Sequence, residues 1–191
     1  MQNGQQAPPL LIAIPRPSYP GDFLMKLKES EALKPAPASP TADRELVLTR
    51  LIRAPREKVY RAWTEPALLK QWFAPLPYTT PVAELDVRPG GSSLIVMRGP
   101  DGVDLPNPGV YLEVVPNEKL VSTDAYTSAW VPSLKPFLTI ILTFEDEGGH
   151  TRYTARALHW SVADRVAHEK MGFHEGWGIC ADQLAALAES L

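Results

Sequence analysis

Apolar residues recur at helical spacing along the C-terminal end of the chain. Spacings of four, three, four, three and four residues place them on one face of an α-helix. Ser161, with Asp164 three residues later, forms a capping box at which the helix can begin. We therefore predict one continuous helix over 162–191, roughly 45 Å long, whose apolar face needs a covering surface. The stripe consists of Phe173, Trp177, Cys180, Leu184, Leu187 and Leu191.

Three glycines, Gly172, Gly176 and Gly178, interrupt this predicted helix. Each costs about 1 kcal/mol relative to alanine inside a helix, so a specific reason is needed for them. Two interpretations are open: the glycines let another backbone approach closely, or they leave space beside the aromatic rings. On the second interpretation, a leucine at position 176 would fill ligand space beside Trp177.

Upstream of the helix, short apolar segments alternate with turn signals such as Arg88-Pro-Gly-Gly91 and Gly99-Pro-Asp-Gly102. This pattern is typical of antiparallel strands joined by hairpins. Two short helical segments, 55–64 and 67–73, follow the first strand. We predict an α+β fold in which the long C-terminal helix covers one face of a seven-stranded antiparallel sheet. The predicted strands are 44–53, 82–87, 92–98, 109–115, 120–126, 138–145 and 151–159.

Composition places the chain of 191 residues, 45% hydrophobic and 21% charged, among globular proteins. Its net charge of −3 gives no general reason to expect nucleic acid or an anionic membrane as a partner. No apolar run reaches the roughly 20 residues of a membrane span. The apolar run at 10–14 has no basic residue before it and is a poor signal peptide. Because one cysteine excludes an internal disulfide, we expect a cytoplasmic protein.

Proline content divides the chain. Eight of the twenty prolines lie in residues 1–42, and prolines at this density disfavour regular helices and strands. We therefore predict a proline-rich, partly mobile N-terminal extension, 1–43, and a folded domain, 44–191.

Several segments of the folded domain, in the same order along the chain, resemble the activator of heat-shock-protein-90 ATPase homologue family (AHSA-type). This family belongs to the START-like, or SRPBCC (Bet v 1-like), superfamily. The resemblance covers about residues 44–191 and includes the terminal-helix motif Met171-Gly-Phe-His-Glu-Gly-Trp-Gly178. The segments that carry it are 53–66, 69–73, 86–91, 97–102, 109–116, 144–149 and 171–178.

The resemblance implies the helix-grip fold, in which a curved sheet wraps round a long helix and two short helices close one end. The space between sheet and helix is often a deep apolar cavity in this superfamily, which favours the cavity interpretation of the glycines. Its members include lipid carriers, hormone receptors and polyketide cyclases, so the fold does not define the function. A chaperone partner is implied by the family name alone, since nothing in the chain resembles the chaperone-binding domain of the eukaryotic co-chaperone.

Strand alternation, as in Ser93, Ile95 and Met97, and the helical stripe indicate which side chains would line such a cavity. Taken singly, each large apolar side chain could instead belong to a filled core, where its burial contributes roughly 1.5–3 kcal/mol. Taken together, these side chains favour a ligand pocket. Glu113 could instead face solvent, and His159 could be structural. The predicted lining is Trp72, Phe73, Met97, Tyr111, Glu113, Trp130, Phe144, Tyr153, His159, Phe173 and Trp177.

The remaining chemistry-bearing residues indicate no metal site, no cofactor and no catalytic nucleophile. His168 and His174 are six residues apart, about 240° round a helix, so they cannot bind one ion together. Cys180 lies on the apolar stripe with no basic neighbour to lower its pKa.

The predicted cavity is compatible with two functions. The first is a non-catalytic domain that binds a small apolar or aromatic ligand, with a few polar contacts inside the cavity. The alternative is an enzyme of the polyketide cyclase or aromatase type, whose acid–base groups assist an aldol step in the same cavity. Two titratable groups converging inside the cavity would favour the enzyme. The sequence leaves open the identity of the ligand and homodimerisation through the sheet edge or the extension.

Overall fold

A seven-stranded antiparallel sheet forms the framework of residues 41–191, which are the residues that the computed structural model describes. Residues 1–40 of the predicted extension lie outside this range. The strands are, in chain order, β1 (Glu45–Ile52), β2 (Thr79–Leu85), β3 (Ser92–Arg98), β4 (Asp104–Val115), β5 (Lys119–Thr123), β6 (Tyr126–Ser128), β7 (Val131–Pro132), β8 (Leu138–Glu147) and β9 (His150–His159). Across the sheet the order is β1-β9-β8-β5-β4-β3-β2, while β6 and β7 form a separate ribbon. The predicted α+β fold is confirmed.

Two short helices follow β1 as predicted, and the second ends earlier than position 73. Two longer ones form the C-terminal part of the chain. Within residues 41–191, no helix is long and apolar enough to cross a bilayer. The helices are α1 (Arg56–Thr64), α2 (Pro66–Leu69), α3 (Val162–Lys170) and α4 (Phe173–Ser190).

The C-terminal helix is interrupted, so the prediction of one continuous helix is wrong. The break between α3 and α4 falls at Met171 and Gly172. Gly172 has a φ of 91° and a ψ of 39°, a left-handed conformation that glycine adopts without the steric cost of a Cβ. The helix begins as predicted, because Ser161 Oγ accepts a 3.1 Å hydrogen bond from the backbone N–H of Asp164.

The inner face of the sheet and the helices enclose an apolar core. Along β9 the alternating residues Tyr153, Ala155, Ala157 and His159 are all buried, as the period of a strand predicts. The two alanines have small side chains, so they occupy little of the space above the sheet. From α4, the residues buried in this core are Phe173, Ala181, Leu184 and Ala188.

Candidate ligand-binding site

An apolar cavity of about 380 Å³ lies between the sheet and α4. Strands β3, β4, β5, β8 and β9 form one side, and α1, α3, α4 and the segment after α2 form the other. Most of the lining side chains are apolar or aromatic. The lining residues are Trp63, Trp72, Phe73, Pro75, Ser93, Ile95, Met97, Asn107, Pro108, Gly109, Ser122, Thr123, Asp124, Phe137, Leu138, Ile140, Tyr153, His168, Trp177, Cys180 and Ala181.

Aromatic rings form the cavity wall near α1. The rings of Trp63 and Trp72 meet edge to face with their centroids 4.6 Å apart, and the ring of Phe73 lies 5.8 Å from that of Trp72. Trp72 Nε1 donates a 3.0 Å hydrogen bond to the backbone oxygen of Ala62, which orients the indole. Since such aromatic pairs add about 0.5–1.5 kcal/mol beyond area burial, this wall is a packed cluster rather than a set of loose side chains.

The segment 72–76, which carries part of this wall, is attached to α4 by side-chain hydrogen bonds. Gln183 Nε2 donates to the backbone oxygens of Trp72 at 2.7 Å and Ala74 at 2.9 Å. Gln183 Oε1 accepts a 3.3 Å hydrogen bond from the backbone N–H of Leu76. Cys180 Sγ donates to the backbone oxygen of residue 73 at 3.2 Å. Two side chains of α4 therefore position the segment against the cavity.

A pair of histidines lies at the α3 end of the cavity. His159, which is 1% exposed, has its Nδ1 atom 2.9 Å from the backbone oxygen of Arg44 and its Nε2 atom 2.8 Å from His168 Nδ1. The ring of His168 lies between those of Phe137 and Phe173, with centroid distances of 5.2 and 5.0 Å. Burial, and then the proximity of His159, lower the pKa of His168 to about 4, so His168 is neutral at pH 7.

A carboxylate lines the same cavity. Asp124 Oδ1 accepts hydrogen bonds from the backbone N–H groups of Phe137 at 2.9 Å and Leu138 at 3.1 Å. These two bonds hold the carboxylate at the start of β8. Asp124 also borders a smaller cavity of about 180 Å³, whose wall includes His159. In the described part of the chain, no three side chains of the usual metal-ligand types form a cluster.

Burial also raises the pKa values of two other lining groups. Burial, followed by the proximity of Cys180, raises the pKa of Tyr153 far above its ordinary value of 10. Burial raises the pKa of the Cys180 thiol to about 11. Trp63 Nε1 makes no hydrogen bond of ordinary geometry within residues 41–191. It nevertheless lies close enough to the Tyr153 hydroxyl to lower the pKa of Tyr153, against the larger effect of burial. Both shifts favour the uncharged form, as burial in an apolar environment requires.

Comparison with known families identifies the domain that contains this cavity. The model of the family described as "Activator of Hsp90 ATPase homolog 1-like protein" matches residues 53–189. The chain belongs to this family. The resemblance stated from the sequence motifs is thereby confirmed.

Solved structures similar to this activator-homologue domain come from several bacteria. Protein NE0264 from Nitrosomonas europaea is 39% identical, with a TM-score of 0.75, over 78% of this chain and 96% of that chain. Protein CV1439 from Chromobacterium violaceum is 26% identical, with a TM-score of 0.63, over 75% of this chain and 96% of that one. Protein Ms6760 from Mycobacterium smegmatis, 24% identical with a TM-score of 0.66 over 78% and 93% of the two chains, supports the fold alone. No curated protein matches the chain.

The structure brings part of the predicted lining together. Trp72, Phe73, Met97, Tyr153 and Trp177 all border the cavity. Ser93 and Ile95, which alternate with Met97 on the inner face of β3, border it as well. The period of two therefore identifies the cavity-facing side of this strand.

Four other predicted residues are buried but do not line the cavity. His159 lies behind His168 as the second ring of the histidine pair. Phe173 packs between His168 and Trp177, with ring centroids 5.0 and 5.4 Å away. Phe144 packs against Tyr153, with ring centroids 6.0 Å apart. Tyr111 is also buried, and burial, followed by the proximity of Tyr60, raises its pKa to about 12.

Glu113 and Trp130 lie away from the cavity, so the lining differs from the prediction at both. A register shift between Tyr111 and Glu113 in β4 breaks the alternation on which Glu113 was placed. Glu113 instead forms a 2.8 Å ion pair with Lys119, and both side chains are partly exposed. Trp130 is 88% exposed in the turn of the β6–β7 ribbon, with a φ of 63°. Its ring lies edge to face with that of Tyr126, with centroids 6.4 Å apart.

Besides Cys180, which lies on the predicted apolar stripe, four lining residues with aromatic or titratable side chains were missing from the predicted lining. Trp63 lies one turn after Val59, which is fully buried, so helical spacing on α1 could have indicated it. The break at Gly172 prevents the stripe of α4 from being extended to His168. Asp124 and Phe137 lie just outside strands, where no periodicity indicates the direction of a side chain. The four are Trp63, Asp124, Phe137 and His168.

Neither interpretation of the glycines describes Gly176. A Cβ at this position would meet no atom within 4 Å, so no other backbone approaches it closely. It is also absent from the cavity lining, so a leucine there would not fill the cavity. Gly178 is buried, and a Cβ there would lie 3.3 Å from Arg50 Nη2. Gly172 directly precedes α4 in a left-handed conformation.

Proposed function

We propose that this protein binds a small, uncharged aromatic or apolar molecule in the cavity between the sheet and α4, without transforming it. The observation that carries the proposal is the cavity itself, about 380 Å³ in volume, with an aromatic wall. Ligand pockets have volumes of about 300–1,000 Å³ and combine mostly apolar walls with a few polar groups. The volume suits a molecule of one or two rings.

The apolar wall supplies the driving force. A two-ring aromatic molecule that buries about 200 Å² of apolar surface gains about 5 kcal/mol at ~25 cal/mol per Å². Part of this gain offsets the entropy lost on association. Because Gln183 already holds the segment 72–76 in place, little further ordering is needed when a ligand enters.

A cyclase-like enzyme is the second candidate, because two titratable groups, Asp124 and His168, border the same cavity. The pKa of His168 weakens this candidate. At about 4, it makes the imidazole a poor general base near neutral pH, where the best catalysts have pKa values near the working pH. Binding is therefore the better supported function.

Other partners and the cellular location stay predictions. Regulation of a chaperone ATPase is suggested only by the description of the family. A cytoplasmic location rests on the single cysteine. No contact among the described residues supports homodimerisation, which stays a prediction from the sequence.

Native mass spectrometry of protein isolated from its own host tests the proposal first. A small-molecule adduct that is lost on denaturation is the expected result, and its mass identifies the class of ligand. A panel of one- and two-ring aromatic compounds, measured by isothermal titration calorimetry, then supplies ligands of known structure. Binding of none of them, together with the absence of an adduct, would refute the proposal.

A matched pair of variants locates the binding. Ile140 faces the cavity from β8, whereas Ile141, the next residue, faces the other side of the strand. We expect Ile140→Trp to fill the cavity and weaken aromatic binding at least tenfold, and Ile141→Trp to leave affinity within about twofold of the original. Circular dichroism spectra and thermal melts check that both variants fold. Equal affinities in the two folded variants would place the binding elsewhere.

A further inference from the structure

The position of the proton on His159 follows from its backbone partner. A carbonyl oxygen only accepts hydrogen bonds, so the 2.9 Å contact with the Arg44 oxygen requires a hydrogen on His159 Nδ1. In the neutral ring, His159 Nε2 then carries no hydrogen and acts as an acceptor.

This arrangement determines the tautomer of the second ring. His159 Nε2 accepts across the 2.8 Å contact, so His168 Nδ1 is the donor. While His168 is neutral, its Nε2 atom therefore carries a lone pair and no hydrogen. Within residues 41–191, no protein group hydrogen-bonds this nitrogen. His168 is a lining residue of the cavity, and Phe137 and Phe173 restrain its ring from two directions.

We propose that His168 Nε2 is the specificity-determining acceptor of the cavity, so that the ligand is an aromatic or apolar molecule bearing a hydroxyl or N–H donor. This inference rests on the proposed function and specifies its ligand class. Asp124 also lines the cavity, and its carboxylate is a second acceptor there. A ligand whose only polar group is an acceptor leaves His168 Nε2 unpaired, and it binds more weakly for that reason.

Imidazole NMR of the unmodified full chain tests the tautomer directly. Long-range proton–nitrogen correlation at neutral pH is expected to show His168 with its hydrogen on Nδ1 and a bare Nε2. The chain has four histidines, and the signals that disappear in His168→Phe identify this ring. A hydrogen on His168 Nε2 would overturn the inference without affecting the proposal that the cavity binds a ligand.

Calorimetry with two matched probes tests the recognition. 2-Naphthol and 2-methoxynaphthalene share a ring system, and only the first carries a donor. We expect the unmodified protein to bind 2-naphthol about 3- to 10-fold more tightly, the range for one net hydrogen bond. His168→Phe, which keeps an aromatic ring of similar shape, is expected to lose this preference. His174→Phe makes the same change at an exposed position outside the lining and is expected to keep it.

The outcomes separate the two levels of the proposal. Binding of both probes with equal affinity, or a preference that survives in folded His168→Phe, would overturn the role of His168 while leaving the binding cavity standing. Failure of both probes to bind would overturn the proposed function for two-ring aromatic ligands, and the inference with it. Loss of the preference in His168→Phe and its persistence in His174→Phe would establish the acceptor.

Discussion

Gln183 is the side chain whose removal should most clearly loosen one wall of the cavity. Its amide group joins α4 to the segment 72–76 by three hydrogen bonds, of 2.7, 2.9 and 3.3 Å. The two bonds that its Nε2 atom donates are partly buried, whereas the bond from Leu76 is exposed. Gln183→Ala removes all three and leaves the carbonyl groups of Trp72 and Ala74 without their side-chain donor.

The expected cost is about 2 kcal/mol. Each partly buried hydrogen bond contributes about 1 kcal/mol net, water replaces most of the exposed one, and the better helix propensity of alanine returns a few tenths. For a domain of this size, such a loss lowers the melting temperature by roughly 4–8 °C. Urea unfolding followed by circular dichroism and tryptophan fluorescence measures the change in free energy.

Gln71 provides the matched control for this substitution. Its Nε2 atom donates a single exposed hydrogen bond of 3.1 Å to the backbone oxygen of Ala67, so Gln71→Ala should change the free energy of unfolding by less than about 0.5 kcal/mol. A loss below about 0.5 kcal/mol in Gln183→Ala, or equal losses in both variants, would refute the view that this amide holds the segment. Weaker aromatic binding in Gln183→Ala is a further expected result, because Phe73 and Pro75 belong to the attached segment.

Two further predictions concern protonation. Because the pKa of Cys180 is about 11, iodoacetamide should alkylate it far more slowly than free cysteine at pH 8.5, with a rate that still rises above pH 9.5; an equal rate would show an ordinary, exposed thiol. The pKa of His168 is lower in the folded chain, about 4, than its ordinary value of 6.5, so the unfolded chain binds this proton more tightly. Its contribution to stability is present above about pH 6.5 and is lost as the pH falls towards 4. An NMR titration midpoint of His168 near 6.5 would contradict this.

Local periodicity predicted the strands well, and it failed where the backbone departs from regular geometry. On β3, alternation alone placed Ser93, Ile95 and Met97 on the cavity side. On β4, the register shift after Tyr111 reverses which side of the sheet the next residues face. Glu113 therefore pairs with Lys119 and does not face the cavity. A bulge of this kind depends on the pairing partner, so the sequence of a single strand does not reveal it.

The terminal helix shows the same limit for helical spacing. The apolar stripe identified Phe173 and Leu184, which are both buried, because the spacing holds within α4. It could not be continued through Gly172, whose left-handed backbone changes the direction of the chain. Spacing along the helix relates His168 only to His174, whereas its partner in the structure is His159, at the end of the preceding strand β9. Periodicity within one element does not show which side chain of a neighbouring element a residue contacts.

The pKa shifts of the residues that line the cavity indicate which class of ligand it binds. The pKa of Tyr153 is raised, that of Cys180 is raised and that of His168 is lowered, and burial is the largest cause in all three cases. All three shifts favour the uncharged form, so the cavity beside these residues disfavours a charge. A charged ligand would meet the same desolvation penalty as these side chains. An uncharged ring with one donor avoids that penalty and pairs with His168 Nε2, which is why the apolar wall and the histidine pair support the same class of ligand.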